Sequence, residues 1–226
     1  NIDGNADVTA TSNSGAGIGS GNDSDVTKTG TINIGGNAKV FAFSKYDGAG
    51  IGGGNEGNMN GTINIRGNAK VIAASGRKGA GIGAGAITED ENRNAQGGNM
   101  SGTITIDGNA TVNASAGNKY GAGIGTGRVR TWRSPWMNLD DGGDMSGTIT
   151  IGGNAKVTAK SEGSAAGMGT GGEGEMSGTI NIGDNASVNA DSTGSGAGIG
   201  NGLWGGMSGT INIDGNADVT ATSNSG

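Results

Sequence analysis

The sequence has no cysteine and no histidine. A disulfide framework, a thiol nucleophile and a His-based zinc site are therefore excluded, as is any mechanism that needs an imidazole base. Proline occurs once, which excludes collagen, whose triple helix needs much proline and a strict Gly-X-Y period. Aromatic residues are 3% of the chain, too few to build an ordinary thick core. Basic residues are outnumbered, 14 against 20 acidic, and the net charge of −6 argues against a nucleic-acid partner. No apolar run reaches the length of a membrane span, so no membrane insertion is expected. No signal-peptide pattern is present and the first residue is Asn1, so the chain reads as an internal or processed piece of something larger.

What is abundant is glycine, 53 residues of 226, about three times average usage. Such chains are often disordered. Here Ile, Val and Ala recur at fixed places instead. Gly-Thr-Ile begins at Gly30, Gly61, Gly102, Gly147, Gly178 and Gly209, in steps of 31, 41, 45, 31 and 31 residues. Ala-Gly-Ile-Gly, or its Met variant, begins at Ala16, Ala49, Ala80, Ala122, Ala166 and Ala197. A longer period overlies the short one. Residues 1–15 and 212–226 are the same string, NIDGNADVTATSNSG, at an offset of 212 − 1 = 211. The expectation is a single continuous segment over residues 1–226, one 211-residue unit plus a 15-residue overlap, cut from a longer tandem array.

Alternation sets the fold class. In Met145-Ser146-Gly147-Thr148-Ile149-Thr150-Ile151 every second residue is apolar or Gly, and Ala155, Val157 and Ala159 repeat the pattern. Period two means a strand with one buried face. Ala166 and Met168 begin a third short apolar face, and Gly- and Asn-containing strings between the faces mark corners. Three short strands and three corners in about 31 residues make one coil, which buries its apolar face only by stacking on the next. The predicted fold is an all-β parallel β-solenoid, or β-helix, of about six coils with two longer loop inserts. Ile32, Ile34, Val40, Ile51 and their equivalents are expected to point inward. Asn recurs at one corner, at Asn5, Asn37, Asn68, Asn109, Asn154, Asn185 and Asn216. The two readings are a coil-to-coil amide ladder and a simple preference for left-handed backbone. Five copies carry Met two residues before the Gly of Gly-Thr-Ile, whereas the first carries Lys28, expected to turn outward with Val26 filling the gap.

The alternation of GTINI-x-GNA-x-V-x-A with GAGIG-x-G resembles the Gly-rich β-solenoid repeats of large secreted or wall-attached, adhesin-like surface proteins of anaerobic Gram-positive bacteria. The resemblance covers nearly the whole chain apart from the two inserts. It implies an extracellular or cell-surface location and transfers no catalytic residue.

Several features could carry chemistry. Gly-Ala-Gly-Ile-Gly looks like a phosphate loop, but it recurs in every coil and no helix follows; close backbone packing is the competing reading. Glu89, Asp90 and Glu91, and Asp140, Asp141 and Asp144, are acidic clusters in the inserts. They are the only places where Ca²⁺ or paired-carboxylate catalysis would be sought, and solvated loops are the alternative. No other cofactor is expected. The insert holding Arg128, Arg130, Trp132, Arg133 and Trp136 is the least repetitive stretch, and Trp and Arg are typical contact anchors. It is the candidate surface for a neighbouring fibre or a glycan, against the reading that both Trp fold back on the wall. Trp204, in a shorter loop, reads as a wall cover. The row Thr31/Asn33, Thr62/Asn64, Thr103/Thr105, Thr148/Thr150, Thr179/Asn181 and Thr210/Asn212 makes a regular polar face, which raises an ice-binding reading beside plain β-propensity. The leading expectation is a non-catalytic structural fibre or adhesin stalk, its partner being itself through end-to-end continuation and lateral contacts. The alternatives are a glycan- or host-surface-binding module working through the Trp/Arg insert and, behind it, a polysaccharide-acting enzyme.

Overall fold

The computed structural model describes residues 1–22, 30–86, 98–128 and 142–225. Chain order gives β1 (Asp7–Ser12), β2 (Ile18–Gly19), β3 (Thr31–Ile34), β4 (Lys39–Ser44), β5 (Ile51–Gly52), β6 (Thr62–Ile65) and β7 (Lys70–Ser75). It continues with β8 (Ile82–Gly83), β9 (Thr103–Ile106), β10 (Thr111–Lys119), β11 (Ile124–Gly125), β12 (Thr148–Ile151) and β13 (Lys156–Gly163). The last six are β14 (Met168–Gly169), β15 (Thr179–Ile182), β16 (Ser187–Ser192), β17 (Ile199–Gly200), β18 (Thr210–Ile213) and β19 (Asp218–Ser223).

Every third strand joins the same sheet. The three sheets run β1-β4-β7-β10-β13-β16-β19, β3-β6-β9-β12-β15-β18 and β2-β5-β8-β11-β14-β17, and each strand pair is parallel. This is the β-solenoid that the alternation predicts, one turn of chain per repeat. Like sits on like: Ile149 registers with Ile104 and Ile180, and Val157 with Val112 and Val188. No helix forms among the described residues.

Burial follows the period-two pattern closely. In β4, Val40, Ala42 and Ser44 face inward while Lys39 and Phe41 are exposed. The core is a narrow column of Ile, Val, Ala and Met, with Ile104, Ile124, Ile149, Met145 and Ala155 fully buried. Burying an Ile or Val contributes about 1.5–3 kcal/mol, so stacking, not local propensity, holds a coil of such short strands. Ile34, Val40 and Ile51 are buried and Ile32 is half-buried against the core. Lys28 and Val26 lie outside the described residues.

Five methionines form a fourth column, bridging coil to coil from Met59 through Met100, Met145 and Met176 to Met207. The first four are buried and Met207 is half exposed. The corners turn on residues with positive φ. At the Gly-Asn corner these are Gly4, Gly36, Gly67, Gly108, Gly153 and Gly215, and Asp184 in the one coil that lacks the glycine.

Candidate interaction surfaces

The conserved shape of the coil aligns its polar residues as well as its apolar ones. Each corner Asn donates its Nδ2 to Oδ1 of the Asn one coil earlier. The chain of bonds is Asn37 to Asn5 (3.1 Å), Asn68 to Asn37 (3.0 Å), Asn109 to Asn68 (3.1 Å), Asn154 to Asn109 (3.0 Å), Asn185 to Asn154 (3.2 Å) and Asn216 to Asn185 (3.3 Å). None of these seven asparagines has positive φ; the residue before it takes that role, glycine in six coils and Asp184 before Asn185. A second, interrupted ladder runs on the Thr/Asn face, with Asn33 donating to Asn1, Asn64 to Asn33 and Asn212 to Asn181, each at 2.8 Å. The middle of that row is Thr105 and Thr150, so the face is a mixture of amides and hydroxyls.

The Gly-Ala-Gly-Ile-Gly strings become the two-residue strands β2, β5, β8, β11, β14 and β17. Their glycines are demanded by the neighbouring coil. A Cβ on Gly83, where φ is +134°, would lie 1.9 Å from the carbonyl oxygen of Gly125, and one on Gly81 would meet the amide nitrogen of Ser115 at 2.5 Å. Close coil packing accounts for the motif without a bound phosphate.

Of the Trp/Arg insert, Arg130, Trp132, Arg133 and Trp136 lie outside the described residues. Arg128 is described, and its side chain is committed to the wall. Its guanidinium lies over the Tyr120 ring, 3.7 Å from the centroid, and donates to Oε1 of Glu173 at 3.2 Å. Its side chain is 14% exposed. An antiparallel bridge to Gly142 ties the two ends of the insert together. Trp204 is a correction. It does not cover the wall: it is 82% exposed and stands at a corner with φ of 64°. Glu56 (φ 61°) and Glu173 (φ 69°) are the other non-glycine residues before a glycine with this backbone. The same backbone leaves the Glu173 carboxylate on Arg128 but stands the Trp204 indole off the wall, which the sequence alone did not reveal.

Glu89, Asp90, Glu91, Asp140 and Asp141 also lie outside the described residues. Asp144 is exposed and accepts from the backbone N–H of Glu175 at 2.9 Å. Among the described residues no three acidic side chains converge on one point.

Two features were not singled out from the sequence. Phe41 and Ile72 register with each other and are 41% and 48% exposed, an apolar spot on the outer face of β4 and β7 that alternation alone could have located. An open groove of about 420 Å³, lined by Ile32, Met59, Thr62, Ile63 and several glycines, lies beside the first coils at the end of the methionine column.

A family model described as "Beta helix repeat" matches residues 1–22, 63–86 and 104–128. No curated protein and no solved structure matches the chain. The three matched stretches each span strands that stack in parallel on their neighbours, and together these findings make the chain a β-helix repeat protein.

Proposed function

We propose that this β-helix segment is a non-catalytic, length-setting part of an extracellular fibre or adhesin stalk. The observation that carries the reading is the parallel register kept through all three sheets, apart from one shift between Ala116 and Lys119, with an Ile, Val, Ala and Met core running from coil to coil. Stiffness follows, because bending such a column must open backbone ladders and core contacts on one side. The 15-residue string repeated at an offset of 211 supports continuation by further units of the same kind. Sheet spacing of about 4.8 Å over six intervals gives each unit roughly 29 Å of axial length. The Gly-rich repeat of the resembled surface proteins supports an extracellular setting.

The test is imaging of native material by electron microscopy. Rods a few nanometres wide, with an axial period near 29 Å, are expected. Compact particles without an axial repeat would refute the reading, and so would polysaccharide turnover by the isolated chain.

A second reading is favoured by one observation. Trp204 is held in an unfavourable backbone conformation yet left 82% exposed. An exposed indole can stack on a sugar ring or a partner surface. Retention on a glycan array that is lost with Trp204→Ala would support contact through this face; equal retention would remove it.

A further inference from the structure

Two neighbouring strands inside the stack break the pattern of their sheet. The outward row Thr9, Phe41, Ile72, Asn113, Thr158, Asn189 and Thr220 is polar except at Phe41 and Ile72, which are 41% and 48% exposed. The adjoining row sets Lys39 directly beside Lys70. Like charges opposite each other on adjacent strands are destabilising, and so is apolar surface left in water. Asp7 registers with Lys39 from the other side, yet among the described residues neither lysine is in an ion pair. β4 is paired by β1 and β7, and β7 by β4 and β10, so coils flank the patch above and below.

Local composition departs in the same direction. Both phenylalanines of the chain and one of its two tyrosines fall within Phe41–Tyr46. Residues 30–86 carry six basic and two acidic side chains, a balance of +4 in a chain of −6. One of the two acids, Asp47, is buried.

We propose that this face, built on Phe41, Phe43 and Ile72 and flanked by Lys39, Lys70 and Lys45, is a binding site for an acidic polysaccharide, carboxylated or sulfated. That the ligand is a polysaccharide rests on the extracellular reading; the place of the site and its charge preference rest on the two strands alone. The site is separate from Trp204, which stands in a different coil and at a corner.

Lys39, Phe41, Phe43 and Lys45 occupy alternate positions of the chain, so all four leave the sheet on its outer side. They form a track about 20 Å long, with a cation at each end and two rings between. The rings lie 6.4 Å apart and are inclined by 25°, a nearly continuous floor for the C–H faces of successive sugar rings. Ile72, beside Phe41, widens that floor. Carboxylate or sulfate groups on the sugars then reach Lys39 and Lys70 at one end and Lys45 at the other. Arg77 adds a further cation from the next coil. Arg77 and Lys45 both lie over the Tyr46 ring, 5.0 and 5.1 Å from its centroid, which gathers them at one end of the track.

Other occupants fit this surface less well. β4 and β7 have no free edge, so an extended peptide has no strand to add to. Single-stranded nucleic acid is held by a cationic groove that tracks its backbone, whereas the excess of cations here is confined to two coils of an otherwise acidic chain.

The experiment is isothermal titration calorimetry of the 226-residue chain with two acidic glycans, oligogalacturonate and dextran sulfate. Their neutral counterparts, the methyl ester and plain dextran, serve as controls. At least one acidic glycan should bind, on the order of tenfold more tightly than its neutral counterpart. Its affinity should fall between about 0.1 M and about 1 M salt, as the screening length drops from about 10 Å to about 3 Å. Phe41→Thr installs the residue found at Thr9 and Thr158 of the same row, so the fold is retained, as circular dichroism should confirm. It should weaken binding on the order of tenfold. Lys39→Thr with Lys70→Thr, matching Thr111 of that row, should remove the preference for the acidic form. Trp204→Ala should change nothing. Binding of neither acidic glycan overturns the proposal, as do equal affinity for the neutral forms and undiminished binding by Phe41→Thr. Tighter binding of oligothymidylate, or of phosphatidylserine vesicles, that is lost with Phe41→Thr also overturns it and assigns the face to nucleic acid or to membrane. Native rods without glycan binding sink this proposal alone, and glycan binding by native particles that are not rods sinks the stalk reading alone.

Discussion

Gly83 and Gly200 occupy the same place in different coils, with φ of +134° and +126°. Both pay the same backbone penalty on replacement by Ala, about 1–3 kcal/mol for a non-glycine residue in this region. Within the 226-residue chain only Gly83 has a coil stacked above it. Its added Cβ would lie 1.9 Å from Gly125 O, whereas at Gly200 the nearest atom is Ala197 Cβ at 3.7 Å. A carbon and an oxygen need about 3 Å, so the Gly125 carbonyl must retreat by about 1.1 Å. The hydrogen bonds Ile82 N–H to Gly123 O (3.0 Å) and Ala84 N–H to Gly125 O (2.9 Å) flank that contact and would both be stretched beyond bonding range. Losing two buried backbone bonds costs about 1–3 kcal/mol each. Gly83→Ala should therefore be less stable than Gly200→Ala by about 3 kcal/mol, some 6–12 °C in melting midpoint for a chain of this size. Thermal and urea unfolding followed by far-ultraviolet circular dichroism measures both. Midpoints within a degree or two of each other would show that the glycine column is not enforced by coil stacking.

Val157 is 3% exposed in the middle of the core, so Val157→Asp should cost several kcal/mol by burying an unpaired carboxylate; a midpoint within about two degrees of the parent would place the side chain outside. Asn109 is donor to Asn68 and acceptor from Asn154, both bonds being exposed, so Asn109→Ala should lose about 1–2 kcal/mol in urea unfolding. No loss would mean that water replaces the ladder fully. Trp204→Gly should raise stability by about 1 kcal/mol, because it relieves left-handed backbone and gives up little packing; a loss of that size would instead reveal a wall contact.

The parallel solenoid was legible because period-two alternation and the recurring step constrain the same residues twice. Ile149 and Ile180 must face inward within their own strands, and the repeat places one upon the other. The corner asparagines could be found but not interpreted, since an amide ladder and left-handed backbone predict the same residue type. Their roles separate only in three dimensions, where the preceding residue carries the positive φ. The exposure of Trp204 and the wall contacts of Arg128 escape the sequence for a related reason. Both lie outside strands, where no periodicity says which way a side chain points. Arg128 is fixed by Tyr120 nearby and by Glu173 one coil on, and Trp204 by the handedness of its corner. The exposure of Phe41, by contrast, follows from alternation through Lys39–Ser44.

The absence of cysteine makes one direct measurement straightforward. Pairs of cysteines introduced for nitroxide labels at Lys39 and Ser187, at Asp7 and Ser187, and at Asp7 and Asp218 lie in one outward column, separated by four, five and six sheet spacings. Pulsed electron paramagnetic resonance should give backbone separations of about 19, 24 and 29 Å, rising by about 4.8 Å for each added coil. Distances that fail to rise with coil number, or that spread over tens of ångströms, would contradict the stacked parallel β-helix on which every other inference rests.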